Sequence, residues 1–278
     1  MKTLQTRDNG IKRDIEIYES LGEAVRHAQN NPSPKSSKTG GQSFTGTKDL
    51  GEACDLALNG WSEVRPQVNK LFGQLESSIA LTLDEQFGIR FDYSGDSVDM
   101  GRYMSGDPEC MIDYVTEPQS RMGRVIKVMV NVANSASISA EQIINRGVVV
   151  VALLDVLKKL GLGVELWTEM AISDKGVDSG NRFSQLVKVH DSADMLDVDS
   201  TMFAIAHPSM LRRIGFASVE QGVRSDLANQ SYGYPSNMMC NDIVGADIMV
   251  EKLQNSNDFM SKNPVQWVVE TLTGLDLI

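Results

Sequence analysis

The residues best equipped for chemistry are a histidine among acids and a set of acids among glycines. His190 closes an apolar, strand-like run and is followed by Asp191, Asp194, Asp197 and Asp199. Carboxylates beside an imidazole can orient it as a general base or a metal ligand. The carboxyl end of a strand is also where α/β sheets place their sites. The plainer reading is a solvated strand end. The second set is Asp92, Asp96, Asp99, Asp107, Glu109 and Asp113, in a stretch punctuated by Gly95, Gly101, Gly106 and Pro108. Oxygen ligands on such loops can hold Mg2+ or Ca2+. Their spacing is not that of an EF-hand loop, and solvated turn acids are the commoner outcome. In a hydrolytic site, Ser135 and Ser137 would join His190, Asp191 and Asp194, with Asp99 or Asp107 as further candidates. Divalent ions would there polarise a phosphoryl oxygen.

The familiar catalytic signatures fail one by one. No GxGxxG follows a strand, there is no GxSxG elbow, and KSSKTGG (residues 35–41) lacks the order of a phosphate loop. No HExxH or paired-histidine metal spacing exists among the three histidines. His27 reads as a helix-end or solvated residue, and His207, on an apolar stretch before Pro208, as a buried core histidine. Cys54, Cys110 and Cys240 fit neither a disulfide framework nor a CxxC zinc site, and read as free thiols in a reducing compartment.

These residues must be positioned by an α/β unit spanning 124–166. Val125, Ile126, Val128, Met129, Val130 and Val132 form a nearly continuous β-branched run, as in a strand covered on both faces. Asn134-Ser135-Ala136-Ser137 is a loop. Ser137 or Ser139 can cap the helix that follows, and Ser139, with Gln142 three residues on, fits a capping box. Ile143, Ile144, Gly147, Val148, Val151, Leu154, Leu157 and Leu160 then follow helical spacing. Lys158 and Lys159 complement the helix dipole, and Gly161 and Gly163 end the helix. GVELWTEMAIS and RFSQLVKVHDS flank a glycine-containing turn and predict an antiparallel hairpin.

Around this unit, residues 11–29 predict an amphipathic helix with Ile15, Tyr18, Leu21 and Val25 on one face. Residues 30–49 predict a Pro/Ser/Gly-rich linker, with Phe44 as an anchor on the body or on a partner. Two helices are expected over 48–83, and short strands and turns over 84–123. A helix broken at Pro208, with Arg212 and Arg213 at its end, is expected over 199–216. Asp247–Val250 predicts a strand and Pro264–Leu272 a last helix. Net charge is −11. The excess of acid lies after residue 50, so long-range attraction of nucleic acid is not expected. No run reaches the roughly 20 apolar residues of a membrane span, and the start carries no apolar signal core. A cytoplasmic protein is expected.

The order strand, serine loop, long helix, strand, hairpin resembles the von Willebrand factor A-type domain. That family holds a divalent ion with an Asp-x-Ser-x-Ser motif after its first strand. The matching window is Ala133-Asn134-Ser135-Ala136-Ser137: Ser135 and Ser137 stand in place as metal ligands for Mg2+ or Ca2+, while Ala133 replaces the aspartate. Leu50–Trp61, Met100–Asp113 and Arg146–Trp167 resemble uncharacterised proteins of bacteriophages and bacteria, which imply no activity and, if the chain is phage-encoded, a bacterial host cytoplasm. The expectation is a three-layer α/β sandwich with a mostly parallel sheet over 124–278. It would follow an N-terminal helix and linker (1–49) and a helical then β-rich part (50–123). The expected function is a non-enzymatic interaction or assembly factor with a protein partner or self-association. A divalent-metal enzyme acting on phosphates or nucleic acid is the alternative, and a nucleic-acid-binding module the second.

Overall fold

Alternation, not helical spacing, governs the first eighteen residues. The computed structural model describes residues 1–8, 10–32, 37, 41–79, 87–116, 124–176, 179–253 and 258–277. Lys2–Asp8 (β1) and Ile11–Tyr18 (β2) pair as an antiparallel hairpin. Leu21–Gln29 (α1) follows, capped by the Ser20 side chain. The helix expected over 11–29 therefore starts only at Leu21. Ile15 and Ile17 alternate with Asp14 and Glu16, a period of two. The pattern is hard to see because these acids are themselves fully buried.

Leu50–Asn59 (α2) and Arg65–Ile79 (α3) form where the spacing puts them; Asp49 caps the first. Gly60 ends it at φ +88°, in contact range of Asp199, where a side chain would be strained and clash. Phe87–Asp92 (β3), Ser97–Val98 (β4), Met100–Ser105 (α4) and Met111–Thr116 (β5) form the β-rich stretch, a small antiparallel sheet in the order β3-β5-β4. Val125–Asn131 (β6), Ala140–Lys159 (α5), Gly163–Ser173 (β7) and Arg182–His190 (β8) make up the central unit. The Ser139–Gln142 capping box is present at the start of α5. Val198–Ala206 (α6) stops before Pro208, and Met210–Gly215 winds as a π-helix into Phe216–Gln221 (α7). Tyr234–Pro235 (β9), Ile248–Val250 (β10) and Pro264–Gly274 (α8) follow, with short helical turns at Gln42–Thr45, Ser225–Asn229, Asn241–Val244 and Phe259–Lys262.

The main sheet runs β1-β2-β8-β7-β6-β10, with β9 also paired to β7. The pairs β2–β8, β6–β7 and β6–β10 are parallel. β1–β2 and β7–β8, the expected hairpin, are antiparallel. The result is a mixed α/β fold with a mostly parallel central sheet. Ile126, Val128 and Val130 of β6, Val164 and Leu166 of β7 and Val187 of β8 pack with α1, α2, α3, α5, α6 and α8 in one core. On the other face, Ile15, Ile17, Met129, Trp167 and Leu186 are covered by Met238, Cys240 and Val244. The expected sandwich has helices on both faces. Among the described residues, this second face is covered by a mostly irregular segment whose helix is the single turn Asn241–Val244.

The boundaries expected at 49/50 and 123/124 do not divide the core. Tyr18, Val25, Leu50, Leu71 and Val128 belong to the same cluster. The linker expected over 30–49 is pinned wherever it is described; 33–36 and 38–40 lie outside the described residues. The Glu220 carboxylate accepts from the Asn31 amide (2.6 Å), the Ser37 hydroxyl (2.6 Å) and the Tyr232 hydroxyl (2.6 Å). Arg213, fully buried, donates to the carbonyls of Ser37, Thr47 and Lys48. Arg212 donates to the carbonyls of Phe44 and Ile138 and lies 4.0 Å over the Phe44 ring. These arginines therefore do not finish a helix as dipole complements. The π-helix turns both inward, where a buried guanidinium must be hydrogen-bonded to persist. Phe44 is an anchor on the body.

Candidate functional site

At the carboxyl end of β6 the chain turns into α5 and crosses to β7 on one side, while β10 lies on the other. In open α/β sheets this reversal opens a crevice beyond the strand ends. Its floor and walls include Asn131, Asn134, Ile143, Arg146 and Leu253, around a small cavity of about 10 Å3. Asn131 and Asn134 hold the turn: the Asn131 side-chain oxygen accepts from the Ala133 amide (3.0 Å), and that of Asn134 from the Leu253 amide (3.3 Å). Ser135 and Ser137 stand exposed above it, their hydroxyls 3.0 Å apart. Arg146 lies on the second turn of α5 and is 8% exposed, with Nε buried and without a hydrogen-bond partner. Burial lowers its pKa, and Glu251 and Asp258 act against that shift.

His190 and the acids after it lie away from that crevice. His190 pairs with Leu166 across β7–β8, and Leu166 pairs with Val128, the middle residue of β6; the chain then runs on toward the amino ends of β6 and β7. A side chain added at Gly163, where β7 begins, would meet Val125 and Ser192. The structure thus brings Ser135 and Ser137 together but does not bring His190, Asp191 and Asp194 to them. His190 is buried, which lowers its pKa, with the nearby Lys158 adding to the effect. Asp191 pairs with Lys188 and accepts from the Ala193 amide (3.1 Å), and the lysine holds its carboxyl below the usual range. The Asp194 carbonyl accepts from Lys158 (3.1 Å). Asp99 caps α4 through the Arg102 amide (2.9 Å), and Asp107 pairs with Arg102 (3.1 Å). Among the described residues, no three His, Cys, Asp or Glu side chains converge as a metal-binding group.

His207 is a core residue, as its apolar setting predicts. Its Nδ1 accepts from the Ser209 amide (3.1 Å), and its ring meets Trp61 edge-on at 4.6 Å and stacks on Phe203 at 5.0 Å. Several buried acids escaped the sequence reading, Glu169 and Glu16 among them. Glu169 accepts from the Ser184 hydroxyl (2.5 Å) and the amides of Met239 (3.2 Å) and Cys240 (3.3 Å), fastening the covering segment to the sheet. Glu16 accepts from the Val223 amide (3.1 Å) and the Tyr18 hydroxyl (3.2 Å). Burial raises both carboxyls. Their signal was faint: Glu16 alternates with Ile15 and Ile17, the pattern of a half-exposed strand, and Glu169 is a lone acid between Thr168 and Met170.

The small sheet presents a different surface. Tyr93, Met100, Tyr103 and Met104 are 69%, 63%, 61% and 80% exposed. None of the residues of α4 is buried. Arg102 is spent within the element, on Asp107 and over the Phe91 ring at 3.8 Å. Asp96 and Glu109, in the same β-rich stretch, are exposed as well.

A family model described as a domain of unknown function (DUF7192) matches residues 6–278. No curated protein and no solved structure matches the chain. No described helix is long and apolar enough to cross a membrane.

Proposed function

The chain belongs to the DUF7192 family, and we propose that it is a non-enzymatic interaction or assembly factor that docks a protein partner on the β3–β5–β4 sheet and α4. The observation carrying this is the exposure of Met100, Tyr103 and Met104, three and four residues apart on α4, a helix with no buried residue, and of Tyr93 in the same small β unit. Large apolar side chains grouped on a surface mark interaction sites. Aromatic and methionine side chains are the usual anchors there. With Arg102 neutralised inside the element and acids at the rim, the partner surface that fits is apolar at its centre and basic at its edge. The order β6, serine loop, α5, β7, β8 supports the likeness to a von Willebrand factor A-type domain, whose sheet edge would add contacts. The bacteriophage or bacterial setting, with a host cytoplasm if the chain is phage-encoded, rests on the separate resemblance of Leu50–Trp61, Met100–Asp113 and Arg146–Trp167 to uncharacterised proteins. The metal-dependent reading on phosphates or nucleic acid has less support, because its residues divide between opposite ends of the sheet.

A photo-cross-linking residue placed at Tyr103 tests the reading. The expected result is one discrete adduct whose cross-linked peptide is rich in Lys and Arg, abolished by Met104→Asp. The same probe at Tyr234, also exposed, should give none. Equal labelling at both positions, or an adduct indifferent to Met104→Asp, would refute docking at this surface. A second copy of this chain as the adduct would replace the basic partner with self-association.

A further inference from the structure

We infer that the crevice at the carboxyl end of β6 binds an oxyanion group, a carboxylate or a phosphate, through Arg146. This is independent of the docking surface on the small sheet. Three observations converge on it. The first is position: β6 is where the sheet's winding reverses, with β7 reached through α5 on one side and β10 on the other, and ligands of open α/β sheets sit beyond such strand ends. The second is a buried arginine whose Nε is unpaired. Arg146 is more than nine-tenths buried, its Nε has no hydrogen-bond partner, and among the described residues no carboxylate pairs with it. A helical side chain leans toward the amino end of its helix, so the guanidinium reaches back toward the loop that carries Asn134, which lines the same cavity. The third is the start of the twenty-residue α5: the capping box takes the amides of Ser139 and Gln142, and the helix dipole with the remaining first-turn amides favours negative charge. The exposed hydroxyls of Ser135 and Ser137 stand beside it.

The two acids near Arg146 do not take this role. Glu251 is engaged by the Met238 amide (3.1 Å) and the Asn131 side chain (3.4 Å). Asp258 caps the turn Phe259–Lys262 through the Ser261 amide (3.1 Å) and hydroxyl (2.8 Å). Both favour the charge on the guanidinium from a distance while leaving its N–H groups available. A cavity of about 10 Å3 admits one oxygen atom, not a whole ligand. The bound group therefore enters by one terminal oxygen, with its body outside, over the serine loop. A planar guanidinium fork can pair that oxygen together with a second one held at the cavity mouth.

The test is a thermal melt of the full chain in a buffer free of phosphate and carboxylate. Sodium phosphate and sodium acetate are titrated separately against sodium chloride at matched ionic strength. A saturable rise in Tm with phosphate, acetate or both is expected, and none with chloride; the arm that saturates lower names the oxyanion. In Arg146→Met the shift should vanish while Tm without ligand stays the same or rises, since a buried unpaired charge is replaced by an apolar chain. A merely structural arginine would instead lower Tm when removed. Should Arg146→Met fail to fold, Arg146→Lys carries the comparison, because losing the fork should weaken apparent affinity at least tenfold. No saturable shift in the wild-type chain, or an unchanged shift in the Arg146 variants, would overturn the assignment.

Discussion

Gly147 offers the sharpest test of how α5 is seated. It lies mid-helix, where alanine is intrinsically better than glycine by about 1 kcal/mol. On propensity alone Gly147→Ala stabilises the protein. The structure gives the opposite sign. A Cβ at this position would stand 2.2 Å from the Cβ and 2.9 Å from the Cα of Ala206 in α6. Carbon atoms pack at about 3.5–4.0 Å, so the two helices would have to part by about 1.5 Å. One of the opposing atoms is backbone, which no rotamer change can move, and overpacking of this kind costs about 1–3 kcal/mol. Taking the upper end and subtracting the propensity gain leaves a net loss of about 2 kcal/mol. Ala206→Gly removes the nearer atom and should partly rescue Gly147→Ala, although it weakens α6 on its own by about 1 kcal/mol. Urea unfolding of the wild type, both single variants and the double variant gives the coupling directly. Gly147→Ala at or above wild-type stability would refute the close approach of α5 to α6, as would strictly additive single effects.

Two further outcomes follow from buried groups. Burial lowers the pKa of His207 to about 4, against about 6.5 for an unfolded histidine. Between those values the unfolded chain takes up a proton that the native chain refuses. Stability contributed by this residue is therefore full above about pH 6.5 and falls as pH drops, by about 3 kcal/mol at the lower limit. The raised carboxyls of Glu16 and Glu169 act in the opposite direction, so the quantity to measure is the wild-type slope minus that of His207→Gln between pH 7 and pH 4.5. Equal slopes would show that His207 is not held neutral by the core. The thiols give a simpler count. Cys54 and Cys240 are buried, and burial pushes the Cys54 thiol up to about 11, whereas Cys110 is partly exposed. A thiol reagent should add one label quickly to the native chain, seen by intact mass, and the other two only on unfolding. Three labels at one rate would contradict the burial of α2 and the covering segment.

The elements that were legible are those whose local signals agree with their packing. β6, α5 and the β7–β8 hairpin announce themselves because apolar run, capping box, dipole complement and glycine stop all point to one structure. The opening hairpin was not legible, because β2 buries Asp14 and Glu16 alongside Ile15 and Ile17. Once polar residues go inward, hydrophobic period no longer marks the inner face. The same blindness hid Arg212 and Arg213, which look like a helix end until the π-helix turns them onto the carbonyls of residues 37–48. For the site, sequence could find the serine loop, which is local. It could not place His190, because adjacency in a sheet is decided by strand direction: β8 runs back along β7 and carries His190 away from the loop. Arg146 shows where a signal did exist. It is a single cation on the apolar stretch from Ile143 to Leu154, and burying an arginine without a fixed partner is costly enough that it calls for a reason. The core offers none, since replacing Arg146 by a methionine would fill the same space without that cost. The charge makes sense as part of the fold only if something that arrives at the crevice pairs with it.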